Sequence, residues 1–350
     1  MDLRDPLKPI ESRTTSVLPV TEISQVAEAR RAATGLADQL AFDEADIGTI
    51  ALIVTEAATN LVKHATGGEI VLCALQAGEV DGILVLALDK GPGIANAARA
   101  MRDGYSTTGS PGTGLGAMER LATLFDIHSV PGAGTALLAR LWSKPLSNTR
   151  PSPLEVGALS LPKPGEVVCG DRWAVAWFPE RTLILVADGL GHGPGAAEAA
   201  MEAVQTFHER AALTPVAIVE SIHAALRSTR GAAVAVTEIA PSQEAIRFAG
   251  IGNISGIVLS SEGSRQMVSL NGTAGHSARR IQEFTYPWSS DALLILYSDG
   301  LVSHLHPERY PGLLRHNPDL IAATLYRDYT RGRDDVTVVV ARDRQTTEIG

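Results

Sequence analysis

Two apolar runs in the second half of the chain each end abruptly in Asp-Gly, and this pattern limits what the chain can fold into. One run leads into Asp188-Gly189 and the other, through Ser298, into Asp299-Gly300. A short apolar run of this kind predicts a buried strand. Each strand therefore delivers a carboxylate to its own end, and the glycine lets the backbone turn close to whatever that carboxylate holds.

Two further acidic points flank this pair. Asp171 follows Gly170 upstream, and Asp334-Asp335 precedes a Val-rich strand near the C-terminus. Taken singly, each Asp is well explained as a turn residue. Taken together and in this order, carboxylates gathered at strand ends repel one another unless a cation compensates them, and hard oxygen ligands suit Mg²⁺ or Mn²⁺. Two such ions would form a site for hydrolysing phosphate esters.

The composition bounds the class of protein. A length of 350 residues suggests two domains, and a net charge of −9 argues against a general nucleic-acid binder and against docking on an anionic membrane. The N-terminus lacks the apolar core of a signal peptide, and we expect no membrane-spanning run. Cys73 and Cys169 lie in apolar runs and predict buried, reduced thiols. Together these features predict a cytoplasmic protein.

A Pro- and Ser-rich stretch without periodic apolar residues divides the chain. It covers residues 143 to 164 and reads as a linker that merges into the first strand of the second domain. We therefore expect a first domain at 1–142, a linker at 143–154, a second domain at 155–343 and a tail at 344–350.

The best helix of the first half runs from Asp43 to Ala65. Asp43 can cap it, and an apolar stripe predicts that one face is buried. Glu56, Asn60 and His64 are spaced four apart on a different face, which places an acid, an amide and an imidazole in one line. Alone, this line is better explained as a solvated polar face, and His64 is equally a packing residue at the helix end.

Glycine-rich turns follow at three later points. A buried strand runs into Asp89-Lys-Gly91-Pro-Gly93, where an Asp can bond the amino group of a base while the backbone bends around the ring. Glycines before a helix expose backbone N–H groups that suit phosphates, although the spacing here is neither Walker nor Rossmann. The glycine-rich turn before the helix comprises Gly112, Thr113, Gly114, Leu115 and Gly116, and the last turn is Gly132-Ala-Gly134-Thr135.

In order and spacing, these pieces resemble the ATP-binding domain shared by histidine kinases, gyrase and the Hsp90 chaperone, over about residues 15–142. Within that family the stretch is most similar to the small anti-sigma-type serine/threonine protein kinases of RsbT type. The resemblance implies that Asn60 ligates the Mg²⁺ bridging the ATP phosphates and that Glu56 accepts the proton of a Ser or Thr hydroxyl. It further implies that Asp89 reads the adenine amino group with Thr135 close behind it. The remaining ATP-binding residues would be Gly91, Gly93, Gly112, Thr113, Gly114, Leu115 and Gly116.

The four acidic points of the second half resemble the metal-dependent PP2C-type protein phosphatases. His192-Gly193 and the stretch from Phe248 to Asn253 point to the SpoIIE and RsbX branch. The resemblance implies two Mn²⁺ or Mg²⁺ ions that activate water for in-line attack on a phosphoserine or phosphothreonine. Asp188 would be the catalytic residue that bridges the ions. The carbonyl of Gly189 would ligate one ion, and the other ligands would be Asp171, Asp299 and Asp334. His192 either orients a water or packs its loop.

Together the two resemblances imply an α/β (α+β) chain. We expect a Bergerat-type α/β sandwich with a mixed sheet covered on one face by helices, followed by a PP2C-like αββα four-layer sandwich. The implied function is a bifunctional bacterial switch that phosphorylates and dephosphorylates Ser/Thr on STAS-domain regulators of a sigma-factor, stress or second-messenger pathway. These partners would be of RsbS/RsbR type or of the anti-sigma antagonist type.

Other functions remain open at this stage. The first is a phosphatase whose ATP-binding domain only binds a partner, without kinase activity. The second is a plain ATPase that drives conformational cycling. No nucleic acid or membrane partner is expected, and the oligomeric state is open, a homo-oligomer included.

Overall fold

The computed structural model describes residues 10–65, 67–101, 114–146, 152–278 and 280–344. These residues form two compact units. The first unit takes the described residues between 10 and 146 together with residues 306–327, and the second takes 152–305 and 328–344. The sequence-based division placed 306–327 in the phosphatase domain, so the chain departs from that division at this segment.

The first unit up to residue 146 combines strands and helices in mixed order. The helices are α1 (Ile23–Gln39), α2 (Glu44–His64), the single-turn α3 (Ala97–Ala100) and α4 (Gly114–Leu121). The strands are β1 (Ile10–Pro19), β2 (Gly68–Ala77), β3 (Val80–Asp89), β4 (Leu124–Ser129) and β5 (Thr135–Trp142). They form one sheet in the order β1-β2-β3-β5-β4.

All four strand pairs of this sheet are antiparallel, so the prediction of a mixed sheet is wrong. Tight hairpins explain the pattern, because β2 and β3 are joined by a short turn and need no crossover. Alternate residues of the strands face α1 and α2, and Ile70 and Val85 are fully buried in that core. The apolar side of α2 packs there as well, through Ile50 and Val54 among others.

The second unit is built from two sheets. Its helices are α5 (Pro194–Arg210) and α6 (Pro215–Ala225). Its strands are β6 (Leu154–Leu161), β7 (Asp171–Trp177), β8 (Thr182–Gly189), β9 (Ala232–Ala240), β10 (Ala245–Ile251), β11 (Ser255–Ser260), β12 (Gly263–Met267), β13 (Gly272–Thr273), β14 (Ser277–Ala278), β15 (Glu283–Pro287), β16 (Leu293–Tyr297) and β17 (Val336–Asp343).

The two large sheets pack face to face. One has the order β15-β10-β9-β8-β7 and the other β12-β11-β16-β17-β6, while β13 and β14 form a small hairpin. Val186, Phe248 and Leu294 lie in the core between the sheets. The opposite face of the first sheet carries α5 and α6, whose Ala-rich and aliphatic sides are buried there. This arrangement confirms the predicted class of mixed helices and sheets and the two-sheet core of the phosphatase half.

Residues 306–327 follow the strands of the second unit in the chain but belong to the first unit. They include most of helix α7 (Pro318–Tyr329), whose last two residues belong to the second unit. This segment bonds to the face of the first sheet that is turned away from α1 and α2. Arg140 of β5 forms an ion pair with Asp319, and Asp126 of β4 accepts hydrogen bonds from the Asn317 N–H (2.7 Å) and pairs with His316 (2.8 Å). A helix inside the phosphatase sequence therefore belongs to the compact unit that carries the kinase-like motifs.

Helix α2 meets the length and composition of a membrane span, contrary to the expectation that no run would do so. Its mean hydropathy over an 18-residue window is 1.3 and a third of that window is buried. The packing of Ile53 and Ala57 in the core of the first unit accounts for that apolar composition. Both cysteines are free and buried as predicted, and burial raises the pKa of the Cys73 thiol to about 12.

Candidate nucleotide and phosphatase sites

Helix α2 presents the first group of candidate residues. The Asp43 side chain caps it by accepting the Asp46 N–H at 2.8 Å. Because the apolar stripe faces the sheet, Glu56 is left exposed and Asn60 is half-buried. His64, the last helical residue, is also exposed, so the structure gives it no packing role at the helix end.

Close approaches at three glycines bring the ATP-site motifs together. A Cβ atom at Gly114 would lie 2.7 Å from the Glu56 Oε2, so the start of α4 faces that carboxylate. A Cβ at Gly91 would lie 2.9 Å from the Cα of Ala65, where α2 has just ended. These contacts place the glycine turn after Asp89 and the start of α4 against α2, the helix that carries Glu56 and Asn60.

The third close approach joins Asp89 to the last glycine turn, which runs from Gly132 to Thr135. Gly134 has φ of +83°, and a Cβ there would overlap the carbonyl oxygen of Asp89. Asp89 and Thr135 are direct partners in the β3–β5 register. All four motifs that the sequence spreads over some eighty residues therefore border one region of the first unit, as far as the described residues show.

The Asp89 carboxylate is held at the end of β3. It accepts the Gly91 N–H at 2.7 Å. Burial raises the pKa of this carboxyl, while hydrogen bonds from the backbone of Gly91 and Thr135 and the charge of Arg327 oppose that rise. Arg327 also donates to the backbone carbonyl of Asp89 at 3.2 Å. The side chain is thus positioned as a hydrogen-bond acceptor at the strand end.

Ser129 is a part of this site that sequence reasoning missed. Its hydroxyl accepts the Ile94 N–H at 2.7 Å and lies 2.8 Å from the Thr135 hydroxyl. The Ser129 side chain therefore connects the loop after Asp89 to the start of β5. The only sequence signal was its place at the end of β4, which by itself indicates nothing about the partner strand.

The glycine-rich turn is described only in part. Gly114, Leu115 and Gly116 form the first turn of α4, where Leu115 packs against the core and Gly116 is buried. Gly112 and Thr113 lie outside the described residues.

The candidate phosphatase site centres on a carboxylate pair. Asp171 at the start of β7 is directly opposite Asp188 near the end of β8. Asp171 is only 1% exposed, and neither of its carboxylate oxygens has a hydrogen-bond partner among the described residues. Burial, then the charges of Asp335 and Asp299, raise the pKa of Asp171 to about 7, while the nearby hydroxyls of Ser298 and Thr337 oppose that rise although neither makes a hydrogen bond of good geometry. Burial and the neighbouring carboxylates, Asp171 first, raise the pKa of Asp188 well above its ordinary value.

The remaining carboxylates come from the loops after β16 and before β17. Burial raises the pKa of Asp299, and the charge of Asp334 raises it further. Asn253 donates to the Asp299 Oδ2 at 2.7 Å, which is a second contact that sequence reasoning did not assign. Asp335 accepts the Lys163 N–H at 2.9 Å and therefore braces the turn, as expected for a supporting residue.

The chemical type of the predicted ligand atoms fits hard divalent cations. All side-chain donors are carboxylates, and the two unpartnered oxygens of Asp171 are buried polar atoms that a cation would satisfy. Within the described ranges, no three His, Cys, Asp or Glu side chains already converge on one point as in a formed metal site. The carboxylates raise one another's pKa values, and a bound cation would offset that repulsion.

A histidine–carboxylate pair borders the same loop. His192 Nδ1 lies 2.7 Å from Glu166 Oε1, and both side chains are partly exposed. Gly193, with φ of +72°, turns the chain there into α5. Glu166 was not predicted, and its contact fixes the orientation of the imidazole at the edge of the carboxylate cluster.

Comparison with known proteins finds a different family for each part of the chain. The family model described as histidine kinase-like ATPase domain matches residues 20–141, and the model for stage II sporulation protein E (SpoIIE) matches residues 179–344. The serine/threonine-protein kinase RsbT of Bacillus subtilis (strain 168) is 33% identical over 117 residues, which cover 33% of this chain and 88% of RsbT.

One solved structure adds to this picture. A chain from the study titled "The bacterial stressosome: a modular system that has been adapted to control secondary messenger signaling" is 29% identical. It covers 54% of this chain and 99% of its own length, with a TM-score of 0.51.

The folds and the two sites define a chain that joins a histidine kinase-like ATP-binding domain to a PP2C-type phosphatase domain. Through its first unit the chain belongs to the family of RsbT serine/threonine-protein kinases, here fused to a SpoIIE-type phosphatase domain. The roles of individual site residues stay predictions.

Proposed function

We propose that this chain is a bifunctional switch that phosphorylates and dephosphorylates Ser or Thr residues of STAS-domain regulators in the cytoplasm. The observation that supports the proposal is that candidate groups for both reactions lie together in the two units. Glu56 and Asn60 lie on one face of α2, with the start of α4 against Glu56. Buried Asp171 and half-buried Asp188 lie opposite each other on neighbouring strands, with the charges of Asp299 and Asp334 nearby.

In the kinase direction, the exposed Glu56 accepts the proton of the Ser or Thr hydroxyl. The hydroxyl oxygen then forms a bond to the γ-phosphorus of ATP, and the bond from that phosphorus to the β–γ bridging oxygen breaks, so that ADP leaves. Asn60 would hold the Mg²⁺ that bridges the phosphates, and Asp89 with Thr135 would bind the adenine. Such a reaction depends mainly on positioning and on charge neutralisation.

In the phosphatase direction, Asp171, Asp188, Asp299, Asp334 and the carbonyl of Gly189 would hold two Mn²⁺ or Mg²⁺ ions. When bound, the ions supply an activated water and neutralise the phosphate charge. Hydrolysis would form a bond from a water oxygen to phosphorus as the bond from phosphorus to the Ser or Thr oxygen breaks, the water releasing one proton and the leaving oxygen taking one up. His192, oriented by Glu166, lies at the edge of this cluster and is the group available to give the leaving oxygen its proton.

The substrate class follows from the relatives. RsbT is named as a serine/threonine-protein kinase, and the similar solved chain comes from work on the bacterial stressosome. We infer that the substrates are STAS-domain proteins of such an assembly, of RsbS/RsbR type or of the anti-sigma antagonist type. Net turnover by both sites at once would only consume ATP, so we expect partner state to favour one site at a time.

A second candidate function has its own supporting observation. Residues 306–327 lie inside the stretch that matches SpoIIE, yet they belong to the first unit and reach the ATP-site loop through Arg327 and Asp89. This arrangement suits an ATP-binding domain that only controls the phosphatase and transfers no phosphate itself.

One experiment separates the two candidates. Purified protein is incubated with a STAS-domain partner, radiolabelled ATP and Mn²⁺, and the phosphate on the partner is measured. For the bifunctional switch we expect Asp188→Asn to raise the phosphorylated fraction and Asn60→Asp to abolish it. Glu56→Gln should bind ATP but transfer no phosphate. ATP binding without label transfer in any variant would instead support the regulatory module.

A further inference from the structure

Arg230 lies beside the loop that carries the predicted metal ligands of β8. The β8–β9 register places Ala232 opposite Gly189. One residue earlier, the carbonyl of Gly231 accepts the Leu190 N–H at 2.9 Å. Sheet pairing therefore fixes the backbone of Arg230 next to the turn that follows Asp188, without any contribution from its own side chain.

The guanidinium of Arg230 lies on two glycines of that turn. A Cβ at Gly195, in the first turn of α5, would be 2.6 Å from Arg230 Nε, 2.8 Å from Cζ and 3.1 Å from Nη2. A Cβ at Gly191 would be 3.5 Å from Nη1. Because three atoms of the group are close to one position, the flat face of the guanidinium covers Gly195. A side chain at that position would displace the arginine.

The donors of Arg230 are not engaged with the protein. The residue is exposed, and among the described residues its side chain has no hydrogen bond or ion pair, although its backbone carbonyl contacts His276. Two other arginines near the cluster, Arg172 and Arg331, differ. Arg172 reaches the carbonyls of Cys169 and Asp171, and Arg331 donates to the Ser303 hydroxyl. Arg230 alone of these combines a packed position with unused donors.

We propose that Arg230 binds the phosphoryl group of the phosphoprotein substrate and positions it at the phosphatase site. This inference rests on the proposed phosphatase function. A phosphate dianion must approach a cluster of carboxylates, and a guanidinium at the rim offsets part of that repulsion. Its planar fork matches two phosphate oxygens at once. The reaction itself is unchanged, and Arg230 acts by holding the phosphate oxygens that stay on phosphorus.

The kinetic test compares Arg230→Ala and Arg230→Lys with the wild type on a phosphothreonine peptide with Mn²⁺. A charge-assisted bond to phosphate predicts that Arg230→Ala raises KM by roughly 10- to 100-fold, with a smaller fall in kcat. Lysine keeps the charge but not the fork, so Arg230→Lys should recover part of that loss. Arg227→Ala is the matched control, since Arg227 is an exposed arginine three residues earlier, and it should behave as the wild type.

A readout independent of turnover is chemical protection. Phenylglyoxal labels accessible arginines, and peptide mass spectrometry measures the label at each site. Inorganic phosphate with Mn²⁺ should protect Arg230 and leave Arg227 unprotected. The Mn²⁺ affinity of Arg230→Ala, measured by calorimetry, should equal that of the wild type, which separates substrate positioning from damage to the metal ligands.

The outcomes separate this inference from the proposed function. If the wild type hydrolyses the peptide but Arg230→Ala keeps its KM and phosphate gives no protection, the assignment of Arg230 is overturned and the phosphatase stands. If the wild type hydrolyses no phosphoprotein or phosphopeptide with either ion, the phosphatase function fails, and the role of Arg230 fails with it.

Discussion

Asp171→Asn should make the metal-free protein more stable at alkaline pH, although it removes a predicted metal ligand. The carboxyl of Asp171 is 1% exposed, and both its oxygens lack hydrogen-bond partners among the described residues. Its ionised form is therefore unfavourable in the folded state, where burial and the charges of Asp335 and Asp299 raise the pKa to about 7. The amide of Asn has a similar shape and no charge.

The size of this effect follows from the pKa. The unfolded carboxyl ionises near 3.8 and the folded one near 7, so stability falls as pH rises between these values. The penalty is absent below the lower value and complete above the upper one. A pKa raised by this amount corresponds to about 4 kcal/mol at pH 8 and to less than half of that at pH 5. For a unit of this size, about 4 kcal/mol corresponds to a rise in Tm of roughly 8–16 °C.

The assay is calorimetric unfolding of the wild type and Asp171→Asn in EDTA at pH 5 and pH 8. The variant should melt higher at pH 8, and the difference should shrink to less than half at pH 5. Added Mn²⁺ should stabilise the wild type far more than the variant. Asp291→Asn is the control, because hydrogen bonds from Ser289 and Ser261 lower the pKa of that exposed carboxyl to about 2, so its loss should not stabilise. A variant that melts below the wild type at pH 8 without metal refutes the reasoning.

Three further changes test the two sites. Gly134→Ala should lower ATP affinity at least tenfold and reduce the free energy of unfolding by 1–3 kcal/mol or more, since its Cβ would overlap the Asp89 carbonyl; nucleotide titration and urea unfolding measure this. Arg327→Ala should weaken ATP binding by roughly threefold to tenfold, because it removes the 3.2 Å bond to the Asp89 carbonyl and the charge near that carboxyl. Asn253→Ala should lower Mn²⁺ affinity by roughly 10- to 100-fold in calorimetry, because it frees the Asp299 carboxylate that Asn253 holds at 2.7 Å.

Matched controls are available for all three changes. Gly132 also has positive φ, but a Cβ there meets no atom within 4 Å, so Gly132→Ala carries the backbone cost without the overlap. Arg309→Ala and Asn271→Ala replace exposed residues of the same types. Each explanation is refuted if the control variant loses as much ligand affinity as the test variant, or if the test variant keeps the affinity of the wild type.

The sequence predicted those parts of the sites that depend on short-range pattern. An apolar run that ends in Asp-Gly is a local signal, and so is the i, i+4 spacing of Glu56 and Asn60 on a capped helix. These signals were enough to group the motifs and to predict the fold class. They were not enough for strand direction, because the period of two in a buried strand is the same in parallel and antiparallel sheets, and the expected mixed sheet is antiparallel throughout.

Supporting contacts required the tertiary structure. Asn253 reaches Asp299 from 46 residues away, and Arg327 reaches Asp89 from 238 residues away. No periodicity within either segment encodes such a partner, since each contact depends on which strands become neighbours after folding.

By itself, the sequence indicated which residues are candidates for the chemistry, because strand ends, caps and helix faces are set by nearest neighbours along the chain. The tertiary structure alone decided that the segment 306–327 joins the first unit, that Ser129 ties two ATP-site loops together, and that the face of Arg230 lies on Gly195. The physical reason is that burial and close packing are properties of surfaces brought together by folding, and a surface is complete only when distant parts of the chain supply its other half.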